Sequence, residues 1–257
     1  MASKSDGGSG AAAATEATMH PLVAGLGVQI FADGADMAGI LEMCGKPYIR
    51  GFTTNPSLMR KAGVTDYAAF ARQVLAAVPD RPISFEVLSD DFAEMEAQAL
   101  RIAAWGGNVF VKIPVTDTHG RSAAPLVSRL AGRGVQLNVT ALTTLAQVRD
   151  VTEALADGPA SFISVFAGRI ADTGRDPVPL MTDALAIMRS APRARLIWAS
   201  PRELLNIFQA DAIGCHVITV TNDILGKLPI VGRDLDRYSL DTVKMFHNDA
   251  TAAGFTV

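Results

Sequence analysis

Along the chain, short runs of β-branched and aromatic residues alternate with longer segments in which apolar side chains recur every three to four positions. The runs predict strands at Val28–Ala32, Tyr48–Phe52, Ile83–Val87, Val109–Ile113, Val135–Asn138, Phe162–Val165, Leu196–Ala199 and His216–Val220. The periodic segments between them predict helices near Met37–Met43, Tyr67–Val78, Asp91–Ala104, Ser122–Ala131, Leu145–Leu155, Leu180–Ser190, Glu203–Gln209 and Asp223–Leu228, with a final helix at Leu240–Ala253. Such alternation buries a parallel sheet under helices. Eight units suit a closed (β/α)8 TIM barrel, an α/β fold, although an open doubly wound sheet uses the same alternation.

Polar residues recur at one end of these strands. Asp33 follows the first, Asn55 the second, and Glu86 lies late in the third; then come Lys112, Asn138 with Thr140, Ser164 with Arg169, and Ser200 with Arg202. Any single Asp, Asn or Ser at such a place also caps a helix. Seven strands ending alike point instead to the C-terminal mouth of a barrel, where that fold builds its sites, whereas an open sheet would spread them along a line. The barrel is therefore the expected fold. Thr118-His119-Gly120-Arg121, Asp157-Gly158-Pro159 and Asp176-Pro177 read as loops between units, so residues 21–257 are expected to form one barrel domain with a C-terminal helix. In that helix Val243, Met245 and Phe246, with Phe255 just beyond, would pack on the barrel or on another subunit.

With 257 residues, 49% of them hydrophobic and 19% charged, the chain is long enough for one large core. The net charge of -3, from 23 basic and 26 acidic residues mixed along the chain, offers no footprint for nucleic acid or an anionic membrane. Any anion must be bound locally. No apolar run is long enough to span a bilayer. Residues 1–20 are rich in Gly, Ala, Ser and Thr and are expected to be a disordered tail. Ala11-Ala12-Ala13-Ala14 lacks the bulk of a signal-peptide core, so no export is expected. Cys44 and Cys215 are far apart, which fits reduced thiols and a cytoplasmic location. His20, His119, His216 and His247 share no metal-binding spacing, and no metal is expected.

Lys112 is the residue that most needs a reason, because Val109-Phe110-Val111-Lys112-Ile113-Pro114 is an apolar strand and an unpaired buried ammonium is costly. Desolvation favours the neutral amine, which is the form that attacks a carbonyl to give a Schiff base. Two other readings stand beside catalysis at this point: a lysine that snorkels to its strand end, or one paired with a carboxylate.

Phe31-Ala32-Asp33, Phe52-Thr53-Thr54-Asn55-Pro56-Ser57-Leu58, Val111-Lys112-Ile113-Pro114, Asn138-Val139-Thr140 and Phe166-Ala167-Gly168-Arg169, in this order, resemble the transaldolases from about Val28 to Leu225. The Thr-Thr-Asn-Pro-Ser segment is the most specific piece. The resemblance implies a (β/α)8 barrel and a class I aldolase in which Lys112 forms an imine with a ketose phosphate, with no metal or organic cofactor. It further implies Asp33 as the base and acid at the C4 hydroxyl, and Glu86 as the carboxylate that moves protons of imine formation through a water held by Thr140. Asn55 and Asn138 would hold the substrate's hydroxyls and reacting carbon, and Ser164 would line the dihydroxyacetone pocket. Arg169 and Arg202, with Ser200, would clamp the phosphate, an ion pair with Asp172 or Glu203 being the alternative for the two arginines. Thr53 would lie at the substrate pocket, although for Thr53 and Thr54 strand-end packing is expected ahead of direct chemistry. Small-molecule sugar phosphates are the implied partners, and assembly into a homo-oligomer is implied as well.

Related small barrels, the fructose-6-phosphate aldolases, release dihydroxyacetone instead of transferring it. They resemble this chain but carry tyrosine in place of Phe166 and typically glutamine in place of Glu86. An apolar ring shields the enamine where a tyrosine hydroxyl would help to protonate it, so transfer is expected over release. The chain departs from the usual pattern at Gly34, where threonine is common, and at Pro201 and Glu203 around Arg202, which implies an altered anion grip. A non-catalytic sugar-phosphate-binding barrel is the reading from another class. It gives no reason for an amine set among proton-transfer groups.

Overall fold

A computed structural model describes residues 21–256. The expected tail at residues 1–20 lies outside the described residues. Residues 25–230 form one compact unit built on eight strands: β1 (Gln29–Asp33), β2 (Ile49–Thr53), β3 (Ile83–Glu86), β4 (Val109–Pro114), β5 (Leu137–Leu142), β6 (Ser161–Val165), β7 (Ala194–Trp198) and β8 (Val217–Thr221). All neighbours pair in parallel and β8 pairs with β1, so the sheet closes into a barrel in sequence order. This excludes the open sheet.

All eight predicted strands are present, with ends displaced by a few residues. The largest displacement is in β5, which runs on through Asn138 and Thr140 to Leu142. These polar residues do not end the strand because their side chains are buried in the barrel, where they lie alongside β4. Among the described residues three short helices were not predicted: Pro21–Ala24, and Pro56–Lys61 and Ala167–Asp172, the last two each starting straight after a strand-end motif. The predicted Leu180–Ser190 helix instead spans Pro177–Ile187 and continues as a 3₁₀ turn, because the Asp176 side chain accepts from the Val178 N–H and Pro177 suits a first turn. The final helix spans Leu235–Ala253, five residues longer at its start than predicted, since Asp234 caps it by accepting from the Arg237 N–H. That helix falls in a second unit with residues 21–24, and no residue on it is buried.

Period-two alternation along each strand decides what faces the barrel interior. Phe31, Phe110, Phe162, Ile197, Val217 and Ala199 meet there as one apolar cluster, with Phe166 packed against it. Phe162 sits edge-on to Phe31, with ring centroids 5.5 Å apart, and tilted against Phe110 at 4.4 Å. Gly51 makes room for this cluster, because a Cβ there would come within 2.6 Å of the Phe31 ring. Each such side chain stabilises the fold by roughly 1.5–3 kcal/mol as an upper estimate. Two residues further along the same face come Asp33, Lys112 and Ser164. The rings thus form a dry floor under a polar layer. Among the described residues no helix is long and apolar enough to cross a membrane.

Candidate active site

Lys112 lies on β4 in register with Glu86 on β3 and Asn138 on β5, so the three project on one face from adjacent strands. Its Nζ donates to the Thr54 carbonyl at 3.0 Å and lies 3.3 Å from Glu86 Oε2, with both side chains nearly buried. The lysine is thus paired with a carboxylate. Pairing does not exclude catalysis, because a carboxylate can also exchange protons with an amine.

Burial pushes the Glu86 carboxyl above its ordinary range; Lys112 pulls it back and Asp33 adds to the rise. Asp33 is raised as well, again by burial first, with Lys112 and a hydrogen bond from Thr53 opposing. Two carboxylates therefore share one cation in a desolvated layer, an arrangement that keeps a proton within easy exchange between groups.

Asp33 does not stand alone on β1. The Thr53 hydroxyl on β2 donates to Asp33 Oδ1 at 2.7 Å, and Thr53 Oγ1 is 2.5 Å from Thr219 Oγ1 on β8. Thr53 therefore contacts a carboxylate and is more than strand-end packing. Across the barrel, Asn138 is fully buried: its amide donates to Ser84 Oγ at 2.9 Å and its oxygen accepts from Ser164 Oγ at 2.7 Å. The two hydroxyls hold the plane of the amide in place. The Thr140 hydroxyl, on the same face two residues on, is buried and meets no hydrogen-bond partner within the protein. A buried hydroxyl left without a partner is costly, so this group is suited to hold a small polar molecule that enters the layer.

At the ends of β6 and β7 the structure gathers a second group. The Arg202 guanidinium takes Asp172 in a two-pronged pair, Nε to Oδ1 at 2.8 Å and Nη2 to Oδ2 at 2.6 Å, while Nη1 donates to the Ser200 carbonyl and hydroxyl at 3.1 and 3.0 Å. These bonds hold the Asp172 carboxyl below the usual range, with Arg169 adding its field. The ion pair with Asp172 is thus made and Arg202 is fixed in orientation. Ser200 has a positive φ of 59°. Gly168 sits against it so closely that a Cβ there would lie 1.6 Å from the Ser200 carbonyl oxygen. Asn55 uses its side-chain oxygen to cap the helix Pro56–Lys61, accepting from the Leu58 N–H at 2.9 Å, which leaves its amide N–H groups for a ligand. Capping and binding are compatible in this residue.

Lys112, Glu86, Asp33 and Thr53 are joined by contact or by charge, and Asn138, bonded to Ser164, lies beside Lys112 in register; Arg169, Ser200 and Arg202 form the second group. Three participants were not singled out from the sequence: Ser84, Thr219 and the carbonyl of Thr54. For Ser84 the signal is its place two residues before Glu86 on one strand face; for Thr219 it is the same spacing from Val217. A cavity of about 460 Å³ adjoins Asp33 and Gly34, lined further by Ile40, Met43, Phe52 and Lys61. Among the described residues no three His, Cys, Asp or Glu side chains gather to hold a metal ion.

The chain matches the family described as Transaldolase/Fructose-6-phosphate aldolase over residues 30–257. It is 33% identical over 218 residues to a probable transaldolase of Dehalococcoides mccartyi, covering 83% of this chain and 97% of that one. A probable transaldolase of Pelotomaculum thermopropionicum is 34% identical over 209 residues, 81% and 92% of the two chains. One of Streptococcus equi subsp. equi is 33% identical over 202 residues, 78% and 90%. The match spans all eight strands, and with it the lysine layer and the arginine group, so the chain belongs to the transaldolase/fructose-6-phosphate aldolase family.

Proposed function

We propose that the protein is a transaldolase that moves a dihydroxyacetone unit from a ketose phosphate, such as fructose 6-phosphate or sedoheptulose 7-phosphate, to an aldose phosphate through a Schiff base on Lys112. The observation that carries this reading is the amine of Lys112, buried 3.3 Å from a carboxylate whose proton affinity burial has raised. The neutral amine attacks the C2 carbonyl; Glu86 transfers protons for carbinolamine dehydration through a water that the Thr140 hydroxyl orients. In the iminium, Asp33 takes the C4 hydroxyl proton, the C4 oxygen becomes an aldehyde as the C3–C4 bond breaks, its electrons pass into the iminium to leave an enamine, and the shortened aldose phosphate departs. The aldose phosphate then adds to the enamine carbon, Asp33 returns the proton, and hydrolysis frees Lys112.

Asn138, held by Ser84 and Ser164, and Asn55, held by the helix it caps, would fix the substrate hydroxyls with neutral hydrogen bonds. Arg202 and Arg169, with Ser200, would take the phosphate; Asp172 occupies the Nε–Nη2 edge of Arg202, so the phosphate would meet the remaining Nη2 N–H or displace this pair. Phe166, packed on the apolar floor, supports transfer over release because it presents no proton to the enamine. The exposed Leu235, Leu240, Val243 and Phe246 of the last helix support assembly of several copies.

Borohydride reduction in the presence of fructose 6-phosphate should add one sugar-derived mass to the peptide that contains Lys112. No adduct across a panel of ketose phosphates would reject the Schiff-base reading. Dihydroxyacetone released as fast without an acceptor aldehyde as with one would replace transfer by the lyase activity.

A further inference from the structure

We infer that Thr219, on β8, is a positioning residue for Asp33, acting through the hydroxyl of Thr53. The inference rests on the proposed role of Asp33 as the group that takes and returns the C4 hydroxyl proton.

The strand β1 lies between β2 and β8, and Asp33 is in register with Thr53 on one side while Thr219 is in register with Phe31 on the other. Side chains from β2 and β8 therefore meet across the inner face of β1, just below Asp33. Thr53 Oγ1 carries one proton and touches two oxygens, Asp33 Oδ1 at 2.7 Å and Thr219 Oγ1 at 2.5 Å. An ionised carboxylate only accepts, so while Asp33 is charged the Thr53 proton belongs to it and Thr219 must donate to Thr53. The chain then runs from Thr219 to Thr53 to Asp33, and each bond strengthens the next in a low-dielectric layer.

Once Asp33 holds a proton, the same three groups run the other way. Asp33 donates to Thr53, and Thr53 turns its own proton toward Thr219. No bond to a heavy atom forms or breaks, and no proton leaves the chain. Both charge states of Asp33 thus keep a partner, at a buried position where an unsatisfied group is costly. Thr219 is itself buried. A threonine there only for strand packing would not need its oxygen at hydrogen-bond distance from Thr53.

The charged groups that Asp33 faces across the barrel are Lys112 on β4 and Glu86 on β3. Asp36, Lys61 and Asp223 share with it the cavity at the ends of β1, β2 and β8, while Thr53, Thr219 and Thr221, its partners on the adjoining strands, carry no charge. None of these charges changes in a Thr219→Val variant, which keeps the shape and removes the donor.

In the full-length enzyme, Thr219→Val should lower kcat about tenfold, the value of one buried hydrogen bond, with KM for fructose 6-phosphate within about twofold. The acid limb of the kcat profile should move up in pH, because the charged form of Asp33 loses support. Thr219→Ser should restore both. Thr53→Val should shift the limb the same way, and Thr53→Val/Thr219→Val should add nothing further. Borohydride trapping at Lys112 separates the two readings. No adduct in the wild type overturns both. Adducts in wild type and Thr219→Val, with kcat and acid limb unchanged in the variant, overturn this inference alone; so does an equal loss in the Val and Ser variants with unaltered pH profiles.

Discussion

Replacing Lys112 by methionine keeps most of the side chain's length and volume and removes the cation that Glu86 and Asp33 both feel. Glu86 Oε2 lies 3.3 Å from Nζ, with side chains 12% and 8% exposed, close to the limit where stripping one partner of a buried pair costs roughly 3–5 kcal/mol. Protonation caps that cost. Holding a carboxyl neutral at about pH 7.5, against an ordinary value of 4.5, costs about 4 kcal/mol at about 1.4 kcal/mol per unit. The wild type already bears part of this, because burial raises Glu86 even with the lysine present. The expected loss for Lys112→Met is therefore a measurable one that stays below about 4 kcal/mol at about pH 7.5.

The sign of its pH dependence follows from linkage. A carboxyl whose folded pKa is raised contributes its stability below the unfolded pKa and loses it as pH rises through the folded pKa. Removing Lys112 raises the folded values of Glu86 and Asp33 further, so the deficit of the variant opens as pH rises through the wild-type folded values, which already lie above the ordinary ones, and closes on acidification. Urea unfolding of wild type, Lys112→Met and Lys112→Met/Glu86→Gln at about pH 5 and about pH 7.5 reads this directly. The double variant should recover most of the loss at the higher pH. A deficit that is the same at both values, or no deficit at about pH 7.5, would refute the shared-cation argument.

Activity should show the same carboxyls. The acid limb of kcat/KM is expected above the ordinary values of 3.8 for Asp33 and 4.5 for Glu86, because burial raises both; a limb in or below that range would contradict the raised assignments. Arg202→Ala should raise KM for a phosphorylated ketose roughly 10- to 100-fold, as expected for loss of a charged hydrogen bond, and leave KM for unphosphorylated fructose unchanged. Equal effects on both sugars would remove Arg202 from the phosphate site. Gly168→Ala should cost about 1–3 kcal/mol in thermal or urea unfolding, since its Cβ would stand 1.6 Å from the Ser200 carbonyl oxygen and force the loop away. It should also raise KM for the phosphorylated donor.

Much of this was legible in the sequence because it follows from alternation. Runs such as Val109-Phe110-Val111 announce strands, and a lysine two residues after an inward phenylalanine must share its face. What escaped is of two kinds. Thr219 and Ser84 are ordinary strand residues by composition, and their roles arise only once barrel closure brings β8 to β1 and β3 opposite Asn138. The Thr54 carbonyl that receives Lys112 carries no sequence signature, because every residue has one. For Arg202 the sequence offered both an ion pair and an anion grip. The short helix Ala167–Asp172 is what sets Asp172 against the guanidinium, and helices of that length leave little periodicity to read.

The contact between Gly168 and the Ser200 carbonyl ties together segments that leave different strands of the barrel. Segments at a barrel mouth are usually exchanged one at a time, which is how a single scaffold acquires new substrates. Here the segments after β6 and β7 are coupled: a bulkier residue at Gly168 demands a new path at Ser200, and a new path at Ser200 moves the arginine that donates to it. Substitutions that re-aim this arginine should therefore have to be made across both segments together. An engineer grafting either one alone would transplant half of a joint.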